Sequence, residues 1–451
     1  FTGVVPEIDP DETSLPSHVI QQLGAALQGA RETRRARDLN FRARGVMLLG
    51  AAYPVLAVRD GEDWQRGVRP TVGDWSHTEV ADYEVSIETP ADVAVFASGV
   101  SRQGRAAETG NGQAAEDAKL RRRVFAGENL RKFALIAGRN LRAEETAVSG
   151  TLVRSVWATE HEKTGRRVLE QAAAAVRVYA KRFGPLPYSS ITVAEAPLVA
   201  GVGSAEFSGL SVIAGALYVD FDSPLVRNLP EIVREQRASV EDSLEFTVAH
   251  MVAHQWWGVM VGSAPERQPV LDEALAHWSA LLYYEETHGP ERTRAAREDQ
   301  LRGVYEIYRT FGGEDLAADR PAREYRNSFQ YAAVVFAKGA LMFNELRGLL
   351  GEEKFFTALR RYAEANRFEI ARLDDLRGAF VAEAPLNQRR VVTRIFDRWL
   401  SERHGDEDIA PPNPQLASAL GLPIADSAGP KDRNAFSRLG RFFWRQMTRI
   451  R

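Results

Sequence analysis

The segment from Val248 to Glu286 reads VAHMVAHQWWGVMVGSAPERQPVLDEALAHWSALLYYEE. His250 and His254 stand four residues apart, flanked by the apolar residues Val248, Ala249, Val252, Ala253, Trp256 and Trp257. Such a run predicts a buried helix from about Val240 to Gly258, and its spacing sets both imidazoles on one face, a turn apart. Buried imidazoles without partners are costly, so a shared cation explains the pair. Glu273, nineteen residues after His254, opens the next predicted helix and offers an oxygen donor. Two histidines and a carboxylate leave one position of a tetrahedral ion open, which is the catalytic kind of site. A lone His-x-x-x-His pair is more often a coincidence or a surface feature. Here the apolar flanks, the downstream carboxylate and an upstream Gly-rich stretch, AGVGSAEFSGL (Ala200 to Leu210), argue for metal.

Outward from this segment, the chain divides by periodicity. Before it, Lys163 to Phe183 is amphipathic and stops at Gly184-Pro185, a helix-ending pair. Short strands are expected at Ser190 to Ala194 and at Leu210 to Ile213. Further upstream the pattern is β: GVMLLG from Gly45, the alternating Tyr83, Val85 and Ile87, then VAVFASGV and FALIAG. Pro16 to Ala36 has helical spacing, and Ser101 to Lys119 reads as an exposed loop. After the segment, nearly everything to Leu400 is helical. The tail beyond Asp408 is Pro-rich and ends in FSRLGRFFWRQMTRIR. There Phe436, Leu439, Phe443, Met447 and Ile450 share one helical face, a pattern that fits either docking on a protein or lying on a membrane surface.

Composition bounds the function. The chain has 451 residues, 44% hydrophobic and 26% charged, with a net charge of −3. No overall basic field points to nucleic acid, and no apolar run is long enough for a transmembrane helix. Cysteine is absent, which excludes disulfides, thiolate metal sites and cysteine nucleophiles. A start at Phe1, with neither an n-region nor an h-region, leads us to expect a mature form or a portion of a longer protein, with any targeting signal out of view. An extracytoplasmic or membrane-associated place, as a portion of a larger membrane-associated protein or complex, is the favoured expectation.

With these residues in view, the segment resembles the gluzincin zinc aminopeptidases, the family of alanyl aminopeptidase and leukotriene A hydrolase. That family carries His-Glu-x-x-His, often followed by Gln-Trp-Trp-Gly, and a further ligand Glu. The resemblance implies one zinc held by His250, His254 and Glu273. Gly203-Ser204-Ala205-Glu206 resembles the family's Gly-x-Met-Glu exopeptidase motif. It implies that Glu206, with Gly203 and Ala205, receives the amino terminus of a peptide. The run FAKGALMFNELRGLLGEEKFF (Phe336 to Phe356) resembles the family's Tyr-x-Lys-Gly segment. The similarity extends from about Gly45 to Trp399. It implies an α+β fold: a β-rich N-terminal domain (1–145) packed on a thermolysin-like α/β-plus-helical metallopeptidase domain (146–405), then the tail (406–451). Against the family, the β-rich domain is short and the large C-terminal helical-repeat domain is missing.

The departures fall on catalysis. Met251 occupies the place of the general-base glutamate, and a thioether cannot carry a proton between water and a leaving amine. Phe336 occupies the place of the tyrosine that donates to the oxyanion, and it has no donor. Ala205 and Ala274 replace the family's usual methionine and glycine. The expected function is a zinc-binding aminopeptidase-like domain without peptidase activity, which binds a peptide N-terminus or a protein partner. Two other readings stay open: an active aminopeptidase of altered mechanism, with Tyr331 substituting for the lost phenol, and a structural domain with an empty metal site. His277, one turn beyond Glu273, reads as a packing or supporting histidine, and Asp272 as a helix N-terminal charge.

Overall fold

The computed structural model describes residues 2–18, 20–21, 39–50, 52–60, 63–64, 72–73, 77–102, 120–224 and 237–419. Most of the leading helix, residues 103–119 of the expected loop and the amphipathic tail segment lie outside them.

The N-terminal part is β-structure. Strands β1 (Asn40–Ala43), β2 (Val46–Leu49), β3 (Arg59–Asp60), β4 (Asp63–Trp64), β5 (Ala81–Pro90), β6 (Ala94–Ala97), β7 (Val100–Arg102), β8 (Leu120–Leu130) and β9 (Leu135–Gly138) come first. They form an antiparallel sheet in the order β1-β2-β9-β6, a second in the order β5-β8-β7, and the hairpin β3-β4. In β5, half-covered Tyr83, Val85 and Ile87 alternate with exposed residues, the period-two pattern of a strand with one wet face.

A five-stranded mixed sheet holds the site. Strands β10 (Leu141–Val148), β11 (Thr151–Ala158), β12 (Ser190–Ala196), β13 (Ser204–Phe207) and β14 (Leu210–Ala214) lie in the order β10-β11-β12-β14-β13. The β11-β12 and β12-β14 pairs are parallel, and the edge strands β10 and β13 run antiparallel. Because β10 begins at Leu141, a boundary drawn at residue 145 falls inside a strand. The sheet is covered on both faces. Val153, Val193 and Ile213 point into a core shared with the helices, while Val156, Ala194 and Val212 meet Phe41, Leu48 and Ile136 of the first sheet. This is why β12 is apolar almost throughout.

Four long helices follow: α1 (Glu162–Phe183), α2 (Arg237–Ala253), α3 (Val270–Arg297, kinked at Gly289) and α4 (Gly339–Ala365, kinked at Gly351). Helix α2 is buried on every side from Ser243 to Ala253, as a helix apolar all round must be. It ends at Ala253, five residues earlier than its apolar run suggests. Gly258 with φ +102° turns the chain there, and Trp256 and Trp257 both hydrogen-bond back to Ala253. Ahead of α4, the turn Ser328–Tyr331 passes into a π-helical stretch, Ala332–Lys338. Such wide turns interrupt α-helices mostly at functional sites.

Candidate metal centre

The two histidines come from the end of α2. His254 lies just past the last helical residue, yet its N–H still donates to the His250 carbonyl at 3.1 Å, so the one-turn stagger survives. Glu273 comes from the first turn of α3. The Nε2 atoms of His250 and His254 are 3.1 Å apart, and the Glu273 Oε2 lies 3.7 Å from the first and 3.3 Å from the second. A tetrahedral ion with ligands at about 2.0–2.2 Å has edges of about 3.3–3.6 Å. The three donors are therefore spaced as the edges of one coordination polyhedron.

Tautomer and field agree with that fit. His254 Nδ1 is 2.9 Å from the Trp257 carbonyl oxygen, so Nδ1 carries the hydrogen and Nε2 keeps the lone pair turned to the cluster. The loop that delivers this carbonyl needs Gly258: a Cβ there would sit 3.1 Å from Asp272 Oδ2 and 3.3 Å from His254 Nδ1, besides the strain of φ +102°. Burial alone would lower the His254 pKa, but Glu206, Glu273 and Asp272 outweigh it and push it up to about 9. The carboxylates thus favour positive charge at this point, which zinc would supply.

Glu206 is on β13 at the sheet edge, 9% exposed. Its charge, with that of Glu273 and Asp272, holds positive charge on His254, and it lines an open cleft with Arg131, Ser208, Gly258 and Asp272. Gln255 sets this proximity. It accepts from Gly209 N–H at 2.9 Å and donates to the Phe207 carbonyl at 3.1 Å, tying the end of α2 to β13. Gly203 precedes the strand, its carbonyl accepting from Ala214 N–H at 2.8 Å, and Ala205 is fully buried. Arg131 fixes the cleft wall by donating to the carbonyls of Thr78 and Val259. Sequence patterns gave no sign of the parts played by Gln255 and Arg131.

Met251 is 2% exposed, within the helical core. Phe336, in the π-helical stretch, has its ring centroid 6.4 Å from that of His250 and 5.1 Å from that of Tyr331. Tyr331 is buried, and its hydroxyl packs on Gly73, where a Cβ would come within 2.6 Å of it. Lys338 and Gly339 carry structure. The ammonium donates to Asp315 Oδ1 and to the carbonyls of Leu316 and Glu402. Gly339 lets α4 approach α3 where a Cβ would meet Ala274 Cβ at 2.9 Å. Asp272 Oδ1 accepts from the Glu273 N–H at 3.0 Å at the start of α3. His277 is brought closer to the cluster than a packing residue requires: one donor atom each of His250, Glu273 and His277 lie within 4.8 Å of one another.

The comparisons with known proteins converge on one family. The Peptidase family M1 domain matches residues 230–399. Aminopeptidase N of Lactobacillus delbrueckii subsp. lactis is 28% identical over 165 residues, 34% of this chain and 18% of the relative. Aminopeptidase M1-D of Oryza sativa is 24% identical over 241 residues, 52% of this chain and 25% of the relative. The chain thus spans about a quarter or less of these relatives' length. The M1 zinc metallopeptidase of Deinococcus radiodurans shares the fold at a TM-score of 0.52 and 19% identity, over 80% of this chain and 72% of that one. The Deinococcus protein is a zinc metallopeptidase, and the spacing of His250, His254 and Glu273 in this chain fits a zinc ion. By domain match over residues 230–399, by relatives and by fold, the chain resembles the gluzincin zinc aminopeptidases.

Proposed function

We propose that the chain is a zinc-binding member of this fold that has lost peptidase activity and serves as a binding or assembly module. One observation carries the reading: Met251 and Phe336 are both buried beside a donor set that is otherwise complete. Zinc at the three donors would add positive charge beside Glu206. The chain's own residues would do less than catalysis needs. No side chain at position 251 can take a proton, and none at 336 can donate to an oxyanion. Glu206 would hold a peptide's amino terminus by charge and hydrogen bonding, a task that requires no general base.

The rival reading, an active enzyme using Tyr331, has less in its favour, because that hydroxyl packs on Gly73. Elemental analysis and a peptidase assay test the proposal together. The expected result is about one zinc per chain and no cleavage of alanyl or leucyl reporter substrates. Cleavage at the rate of an ordinary aminopeptidase would defeat the loss of activity, and a chain that takes up no metal would defeat the zinc site.

A further inference from the structure

We infer that His277 is a fourth protein ligand to the metal, so that the site is closed by the chain itself and leaves no position for water or substrate. The inference rests on the zinc-binding reading above and goes beyond the three-donor set.

Placement comes first. His277 follows Glu273 by four residues on α3, so the two side chains share one face of the helix, a turn apart. The chain thereby presents two one-turn pairs, His250 with His254 at the end of α2 and Glu273 with His277 on α3, and His277 adjoins His250 and Glu273. The His277 ring centroid is 4.0 Å from that of His250, and its donor atom lies within 4.8 Å of those of His250 and Glu273. Ligation would require these donors to close to a tetrahedral edge of about 3.3–3.6 Å.

Chemistry comes second. His277 Nδ1 is 3.1 Å from the Glu273 backbone carbonyl, and only a protonated nitrogen can make that bond. In the neutral ring the lone pair then sits on Nε2, the atom a metal would use. A carbonyl fixes the tautomer of His254 in the same way.

The third observation is a ring stacked on one face of the imidazole. Phe336 lies almost parallel to His277, with centroids 4.3 Å apart and planes 13° apart. The stacking fixes the plane in which the imidazole lies. A His3Glu set with four protein donors is the closed kind of zinc site, which supplies folding energy rather than catalysis.

Cobalt(II) in place of zinc reports coordination directly, with azide as the probe for an open position. The expected result is a wild-type visible spectrum that azide leaves unchanged, and His277→Ala and His277→Gln spectra that azide alters. Metal affinity in the variants should fall by at least the roughly 10–100-fold that loss of an outer-shell partner costs. Zinc-edge X-ray absorption of the wild type should count three imidazoles, and it decides the matter even if both variants fail to fold. Two imidazoles, or a wild-type spectrum that azide shifts as it shifts the variants', would overturn the inference and leave the zinc site standing. A wild type that binds no metal would overturn both.

Discussion

Gln255 and Glu206 are held in register by the backbone between them: the Gln255 amide grips Phe207 and Gly209, the neighbours of Glu206 on the β13 turn. A residue at the end of the histidine helix therefore sets where the carboxylate of the edge strand stands. Glu206 and the His250, His254 and Glu273 cluster are thereby tied together, although they are 44 or more positions apart in sequence.

The first prediction follows from the loop after His254. Replacing Gly258 by alanine puts a Cβ against Asp272 and His254 at a φ that side chains avoid. The loop must shift, and the Trp257 carbonyl with it. Zinc affinity should fall by about 10–100-fold, the usual effect of disturbing a ligand's outer partner. Competition with a chelating dye measures it, and unchanged affinity would show that the carbonyl does not orient His254.

Lys338 supports a second prediction. Its ammonium is 1% exposed and its pKa is lowered by burial, against the opposing pull of Asp315. Lys338→Met removes the cation facing Asp315, which keeps the Gly405 N–H on Oδ2, and takes the ammonium donor from the Leu316 and Glu402 carbonyls. Breaking a buried pair in this way costs about 3–5 kcal/mol. Urea denaturation should show that loss in the zinc-loaded protein, while zinc stoichiometry stays at one. A variant as stable as the wild type would mean that the ammonium is replaced by water at no cost.

The third prediction concerns pH. His161 Nδ1 faces Glu195 Oε1 at 2.7 Å, and Glu195 also accepts from Ala158 N–H at 2.9 Å. Burial alone would lower the His161 pKa, but the hydrogen bond and charge of Glu195, with Glu160 and Asp220, raise it above the usual 6.5. Its contribution to stability is therefore complete below about pH 6.5 and disappears as pH rises through the folded-state value. With zinc saturating, the thermal midpoint should fall as pH rises from about 6.5 through the raised folded-state value, and His161→Gln should flatten that fall. Equal slopes for the two proteins would remove the pair from the account.

Local periodicity made much of this legible. The spacing of His250 and His254, the helix stop at Gly184 and the alternation through Val85 all depend on neighbours within a turn or a pleat. What sequence hid depends on tertiary partners. Gln255 bonds 46 residues upstream, and Lys338 bonds Glu402, 64 residues away. The end of α2 was misplaced because apolar residues continue through Trp257, while the φ of Gly258 turns the backbone. His277 looked like packing because its relation to His250 depends on how α3 crosses α2, which no single-helix pattern carries.

The last prediction is restoration of chemistry. Met251→Glu returns a proton carrier, and Phe336→Tyr returns a donor, typically worth about 10²–10⁴ and about 10²–10³ in rate. Because both groups act on one transition state, the double variant should exceed either single one by more than the singles suggest. Two features of the fold oppose this. Met251 is 2% exposed in an apolar core, so a carboxylate there is costly until water reaches it. Phe336 is stacked on His277, and a fourth ligand would keep the reacting position closed whatever stands at 251. We therefore expect the double variant to remain weak, and the triple variant with His277→Ser to be the most active of the series. The comparison needs wild type, singles, double and triple, each with zinc content measured and an alanyl reporter supplied. An inert triple variant that still holds one zinc would place the loss elsewhere, in the Ser204-Ala205 floor beside Glu206. A double variant as active as the triple would show that His277 does not block the site.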